Sequence, residues 1–320
     1  MSQPSIFVAI PAYRDAELSM TVDRLIAQAD HPRRLSFGIC QQDIESDWVE
    51  FNRYKGIINF RLDNYLPEQS NGSGWALGKS HALYNGEDYF LQIDAHIECV
   101  SGWDTILLKT YEQFQQVQSG PAVMATYPAA YNLDANGNRV LDEFGYISKT
   151  RMVYDGSPSS TFPTGNAVYM GDTSRPVKAR YLNGGFMFGH GSFSHRVPYD
   201  PDLIYWGVEI VTTVRMWTHG FNLYHPNAAF AWHHYGDRLN ARKGRPHVWN
   251  TEDDAKRAVS YADRNARSYD IVNQILCGTY QGDYGLGTAR SLAEFEAYAG
   301  INFKTHERNA ECQSGNYTDS

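Results

Sequence analysis

Asp94-Ala95-His96 is the tripeptide whose side chains are best spaced to act together. On an extended backbone, residues two apart point to one face, so a carboxylate and an imidazole can converge on one ion. Oxygen and nitrogen donors without a thiolate suit Mn²⁺ or Mg²⁺ better than a zinc site. An ion so held keeps positions open for phosphate oxygens. The spacing alone is equally consistent with an Asp capping the next helix beside a solvent-facing His. Trp232-His233-His234-Tyr235 follows an apolar run and offers one further imidazole, from His233 or His234, because adjacent strand residues face opposite ways. Taken alone, this pair reads more readily as a surface His beside a structural one. Glu209, in Trp206-Gly207-Val208-Glu209-Ile210, precedes a helical stretch. It could serve as a general base, orient an acceptor hydroxyl or stabilise a developing cation, or simply be a first-turn carboxylate favoured by the helix dipole. Gly184-Gly185 would let backbone approach a ligand closely, or form a plain bend.

The elements that must position these groups alternate. Strands are expected at Ile6–Ile10, stopped by Pro11, at Leu35–Cys40, Ile57–Phe60, Tyr89–Asp94 and Ala122–Ala125. Helices are expected from Leu18, after a cap at Asp15, and over Trp48–Tyr54, Trp75–Tyr84 and Trp103–Val117. Alternation of this kind implies a mostly parallel sheet with helices on both faces. Ligands of such sheets sit beyond the carboxyl ends of the strands, where Tyr13, Arg14, Asp15, Gln41 to Asp43, Asp94 and His96 fall. No GxGxxG follows the first strand and no GxxxxGK[ST] occurs, which removes the main support for a dinucleotide site or a P-loop. Residues 127–182 read as a long irregular loop or lid. A strand at Phe186–Phe188, a helix within Ile204–Gly220, a strand over Ala228–His234, helical segments over Asn250–Leu276 and Ser291–Ala299, and a frayed end from Glu307 complete the expectation.

Of 320 residues, 42% are hydrophobic and 20% charged, which excludes a disordered or collagen-like chain. Twenty-eight Lys and Arg against 36 Asp and Glu give a net charge of −8, which disfavours broad binding to nucleic-acid phosphates. Cys40, Cys99, Cys277 and Cys312 lie too far apart for a CxxC zinc site or a disulfide framework. No basic leader precedes the first apolar run, and no segment approaches the roughly 20 apolar residues of a membrane span. The expectation is a soluble, cytoplasmic protein.

The motifs, taken in order, resemble the cytoplasmic hydroxyproline GlcNAc-transferase family, glycosyltransferases of the GT-A fold. They are IPAYRD (Ile10 to Asp15), GIC (Gly38 to Cys40), GEDYFLQIDAH (Gly86 to His96), GWD (Gly102 to Asp104), VPYDP (Val197 to Pro201), RMWTHGFNLYHP (Arg215 to Pro226), WHHY, RPHVW (Arg245 to Trp249) and GLGTARSL (Gly285 to Leu292). The resemblance implies an α/β fold of GT-A type, Rossmann-like, with a catalytic domain over 1–240 and a mostly helical C-terminal extension over 241–320. It implies a UDP-sugar donor, UDP-GlcNAc first, and Mn²⁺ or Mg²⁺ held by Asp94 and His96. The later ligand is then His233, with His234 the alternative. Tyr13, Arg14 and Asp43 would bracket the uridine, with Pro11, Trp75, Asp94, Gly184 and Gly185 completing the donor contacts and Glu209 catalytic. Asp104 would support the fold. Transfer with retention of anomeric configuration is the family's expected outcome.

Two departures stand out. Where the family usually has Gly-Glu-Glu, this chain has Gly207-Val208-Glu209; where it tends to have Arg after Trp-Ala, this chain has Leu77. The acceptor is left open between a hydroxyl on protein, on glycan or on a modified DNA base, the last allowed by the basic run Arg238 to Arg245. A catalytically silent carbohydrate-binding protein is the reading from another class.

Overall fold

The computed structural model describes residues 4–117, 120–142, 148–154, 161–170, 174–236 and 246–318. The basic run Arg238 to Arg245 lies outside the described residues. Strands β1 (Ile6–Tyr13), β2 (Leu35–Gln42), β3 (Asn59–Tyr65) and β4 (Tyr89–Ile93) are crossed by helices α1 (Leu18–Gln28) and α2 (Ser73–Ala82). After β5 (Ile97–Cys99) and α3 (Trp103–Val117) come β6 (Ala122–Ala125), β7 (Ala129–Leu133), β8 (Arg139–Leu141), β9 (Ser148–Val153), β10 (Thr164–Tyr169), β11 (Val177–Lys178) and β12 (Phe186–His190). The chain continues through α4 (Phe193–Arg196), α5 (Val208–Thr218), β13 (Asn222–His225), β14 (Ala231–His233), α6 (Thr251–Asp254), α7 (Tyr261–Leu276), α8 (Leu292–Ala299) and α9 (Ala310–Ser314).

The main sheet has the order β11-β13-β6-β12-β4-β1-β2-β3. Six of these strands run parallel, while β12 lies antiparallel between β4 and β6 and β11 is an antiparallel edge. Side-chain alternation divides the apolar residues into two cores, one on each face. Ile6, Val8, Ile10, Leu91 and Ile93 meet Val22 and Leu25 of α1 and Trp103 and Leu107 of α3. Phe7, Ala9 and Phe90 meet Leu77 of α2, Ile210 and Val214 of α5, Val272 of α7 and Phe295 of α8. The expected α/β class and mostly parallel sheet are present, and the C-terminal helices complete one of the two cores. Pro11 is accommodated in β1 because pairing with β4 ends at Ala9, so only β2 still runs beside it.

Several expectations are corrected. Trp48–Tyr54 is not a helix: only a single 3₁₀ turn, Asn52–Tyr54, forms, since Phe51 stacks on Phe60 (4.6 Å) and the Trp48 indole donates to the Asp43 carbonyl (2.9 Å). Tertiary anchors override local propensity there. The supposed loop 127–182 contains β7 to β11, short strands whose alternation is too brief to read. The end is not frayed from Glu307 either: α9 is capped by Asn309 and buries Cys312. Among the described residues no helix is long and apolar enough to cross a membrane.

Candidate active site

At the carboxyl end of β4 the Asp94 N–H donates to the Gly185 carbonyl (3.2 Å), extending the ladder one residue beyond Ile93. The chain then bends through Ala95 and His96 into β5, so Asp94 and His96 are not on an extended strand as the spacing suggested; the bend itself brings them together. In the second sheet, β5-β14-β7-β8, His233 lies opposite Ile97, and the His234 N–H donates to the His96 carbonyl (3.2 Å). This pairing delivers the late histidines to the DxH bend across some 140 residues of chain. Asp94 Oδ2 lies 2.9 Å from His233 Nε2 and 3.9 Å from His96 Nε2.

One ligand atom from each of Asp94, His96 and His233 lies within 4.8 Å of the others. Metal–ligand bonds of about 2.1 Å place neighbouring ligands about 3 Å apart, so slight closure would seat one ion. The His96 Nδ1 faces Asp15 Oδ2 at 2.8 Å, an arrangement that fixes the ring and leaves Nε2 aimed inward. Asp15 therefore acts on His96 rather than chiefly as the expected cap; its other oxygen accepts the Glu17 N–H (3.0 Å), and α1 has no side-chain cap. Gly185 is needed for space. A Cβ there would lie 2.8 Å from Asp94 Oδ2. These donors fit a hard divalent cation with open positions.

His234 goes elsewhere. Its Nδ1 meets Glu17 Oε1 (2.6 Å) and its ring stacks on Tyr131 (5.2 Å between centroids). Tyr131 donates to Glu17 Oε2 (2.5 Å), which also faces Arg139 (3.3 Å). Burial disfavours the Glu17 carboxylate, but the hydrogen bonds from Tyr131 and His234 and the Arg139 charge outweigh it, so its pKa is lowered.

Glu209 stands in the first turn of α5, behind Gly207 in the left-handed region at φ +86°, where a side chain would strike Val272. Its Oε1 accepts the Gly184 N–H (2.8 Å), and Oε2 accepts the hydroxyls of Tyr181 (3.0 Å) and Tyr127 (3.4 Å). Burial pushes its pKa up and the Asp94 charge adds to this, against the three donors. Val208, at the position of the missing family carboxylate, is buried, as is Leu77, where the family tends to have Arg.

Tyr13 and Arg14 end β1, with Arg14 at φ +45°. The Tyr13 hydroxyl and Arg14 Nη1 both donate to Asp253 Oδ2 (2.8 and 3.0 Å), and Arg14 Nε lies 3.9 Å from Asp43. Arg257 donates to the Tyr13 hydroxyl (3.4 Å) and to the Pro67 carbonyl (2.7 Å), drawing the C-terminal segment over this end. Trp75 packs edge-on against Tyr65 (4.6 Å), with the Lys79 ammonium 5.6 Å from its ring. Asp104, fully buried, accepts from the Asp30 and His31 N–H groups and from Arg34 (2.9, 3.0 and 2.8 Å), tying α3 to the start of β2. Tyr127, Tyr181 and Asp253 fall outside every sequence motif named above, and Gln92 falls within GEDYFLQIDAH, where nothing in its type marks a role.

The sheet order and flanking helices are those of the GT-A fold. The chain belongs to the family described as Glycosyltransferase (GlcNAc), whose model matches residues 5–55 and 53–305. No curated protein sequence matches it. Among solved structures it is similar to "GalNAc-T7 with UDP, GalNAc and Mn2+", with TM-score 0.59 and 15% identity over 99% of this chain. The chain spans 58% of the length of that protein. S. aureus TarS 1–349 in complex with UDP-GlcNAc matches with TM-score 0.46 and 10% identity, over 85% of this chain and 73% of that one.

Proposed function

We propose that this chain transfers a sugar, GlcNAc first among candidates, from a UDP-sugar to an acceptor hydroxyl, with retention of configuration and with Mn²⁺ or Mg²⁺ as cofactor. The observation that carries the reading is the meeting of Asp94, His96 and His233 at the carboxyl end of β4, beside a half-buried Glu209. The family's GlcNAc designation supports the donor, and the Mn²⁺ and UDP named for the GalNAc-T7 structure agree with it.

In this reading Asp94, His96 and His233 hold the ion, which when bound would offset the charge of the departing diphosphate. Tyr13, Arg14 and Asp43 hold the uridine end, with Pro11 and Trp75 lining it. Gly184 and Gly185 let the sugar lie against backbone. The bond from the anomeric carbon to the diphosphate oxygen breaks as the acceptor oxygen bonds the same carbon, and the hydroxyl proton leaves with the diphosphate. Glu209, fixed by three donors, stabilises the positive charge that builds at that carbon. The oxygens of Glu209 are already pinned, so little reorganisation is needed as charge develops.

The test is UDP release from UDP-GlcNAc, UDP-GalNAc and UDP-glucose, with Mn²⁺ or with EDTA, for the native chain and Asp94→Ala. Release that requires both metal and Asp94 is expected, fastest with UDP-GlcNAc. Equal, negligible release in every condition, without metal-dependent UDP binding, would overturn the reading.

A further inference from the structure

Gln92 is fully buried in the middle of β4, its side chain on the sheet face that packs Phe7, Ala9, Phe90 and Leu77. A primary amide in such a core costs about 1–3 kcal/mol unless its hydrogen bonds are made. Here they are made, and they lead into the site. Oε1 faces His81 Nε2 (2.8 Å) and accepts the Tyr199 hydroxyl (2.9 Å), while Nε2 donates to the Gly184 carbonyl (2.6 Å). Burial pushes the His81 pKa down to about 3, so its ring is a neutral imidazole able to donate from Nε2. The Gly184 N–H in turn reaches Glu209 Oε1 (2.8 Å), and the next carbonyl, of Gly185, accepts the Asp94 N–H (3.2 Å).

Gly184 has no steric reason to hold its orientation. A Cβ on it would meet nothing nearer than Gln92 Nε2 at 3.6 Å and Glu209 at 3.9 Å, and its φ lies outside the left-handed region. What holds its peptide units is hydrogen bonding, with Gln92 on one side and Glu209 on the other. We propose that Gln92 is a positioning residue for sugar transfer: by gripping the Gly184 carbonyl it aims the following backbone, and so fixes Glu209 relative to Asp94. This rests on the transfer function proposed above. It also accounts for an amide placed where an apolar side chain would pack more cheaply, since polar groups that set the geometry of a site repay their burial there rather than in stability.

Gln92→Met keeps the volume and removes the donor; Gln92→Asn keeps the amide but is one methylene too short to reach the Gly184 carbonyl. Both should lower kcat about 10–100-fold, with the KM for the UDP-sugar and the Mn²⁺ affinity within about twofold of native, the pattern of a lost transition-state interaction. Phe295→Leu, in the same core but on α8, serves as the stability control and should leave kcat native at a comparable loss of Tm. Native kcat in the Gln92 variants, or a loss no larger than that of Phe295→Leu at equal Tm, overturns the positioning role while the transfer reading stands. Absence of metal-dependent turnover in the native chain sinks the transfer reading and the positioning role with it.

Discussion

Gly185→Ala isolates the metal-binding geometry from everything else in the fold. The new Cβ would stand 2.8 Å from Asp94 Oδ2, and ordinary contact begins at 3.4 Å, so the carboxylate must retreat by about 0.6 Å. That exceeds the roughly 0.5 Å within which a functional constellation must be held. Asp94 Oδ2 is also the oxygen 2.9 Å from His233 Nε2, and the same methyl would stand 3.8 Å from His233 Cδ2, so any retreat changes the spacing of the ligand atoms. A loss of about 10–100-fold in Mn²⁺ affinity is expected, or about 1.4–2.7 kcal/mol. Gly184→Ala supplies the internal comparison: its methyl finds 3.6 Å to Gln92 Nε2, an ordinary contact, and should cost under about threefold. The assay is titration calorimetry with Mn²⁺ in the presence of UDP, alongside thermal melting to show that both variants fold. Equal Mn²⁺ affinities for the Gly185→Ala and Gly184→Ala variants would refute the steric reasoning and remove Asp94 from the ion's surroundings.

The two histidines of the WHHY segment should separate cleanly. His233→Ala should abolish the metal dependence of UDP release at little cost in Tm, whereas His234→Ala should lower Tm while retaining metal-dependent release, because it strips a buried partner from Glu17; the reverse pattern in paired assays would exchange their roles. Asp15→Asn should weaken Mn²⁺ binding about tenfold by freeing the His96 ring, measured by the same calorimetry, and unchanged affinity would dismiss the Asp15–His96 contact as incidental. Glu209 gives a pH signature. Its pKa is raised in the folded protein, mainly by burial, so above the unfolded value near 4.5 the folded state binds more protons than the unfolded one, and stability falls as pH rises through the window up to the raised pKa. Glu209→Gln should flatten that fall in metal-free melts across pH 4–8 and stop transfer; a Gln variant with the native pH slope would assign the fall to another group.

Much of the candidate site is legible in the sequence because its proposed chemistry is local. Asp94 and His96 sit two residues apart, Glu209 and Gly184-Gly185 announce themselves by type, and the strand ends Tyr13, Arg14 and Asp43 follow from the rule for parallel sheets. Outside Trp48–Tyr54, the strand–helix alternation of the first 125 residues is equally plain, down to α3 over Trp103–Val117. What could not be read was set by pairing over long distances. Nothing within WHHY says that β14 lies antiparallel to β5, yet that register, His233 opposite Ile97, is what separates an imidazole facing Asp94 from one facing Glu17.

The residues hidden from sequence share a physical character: they touch the candidate site only through another group. Tyr127 and Tyr181 act on Glu209 and Gln92 on the Gly184 peptide, and Asp15, plain in sequence as a strand-end residue, hides its role in the same way by acting on His96. A ligand or nucleophile is constrained in type by its chemistry, which sequence displays, whereas a supporting group is constrained only to donate or accept from one direction. Tyr, Gln or Asp can each fill that need, so residue type carries little information and position carries nearly all of it. The two missing family features fit this view: Val208 and Leu77 have both turned inward to the core, so any work done in the family by a carboxylate and a guanidinium at those positions must fall here to other side chains. Lys79 beside Trp75, two residues beyond Leu77, and Asp253, beside Arg14, are charged groups the fold brings to the end proposed to hold the nucleotide. Donor selectivity should therefore respond to Lys79→Ala and Asp253→Asn, and not to restoring Arg at position 77, whose side chain would have to enter an apolar core.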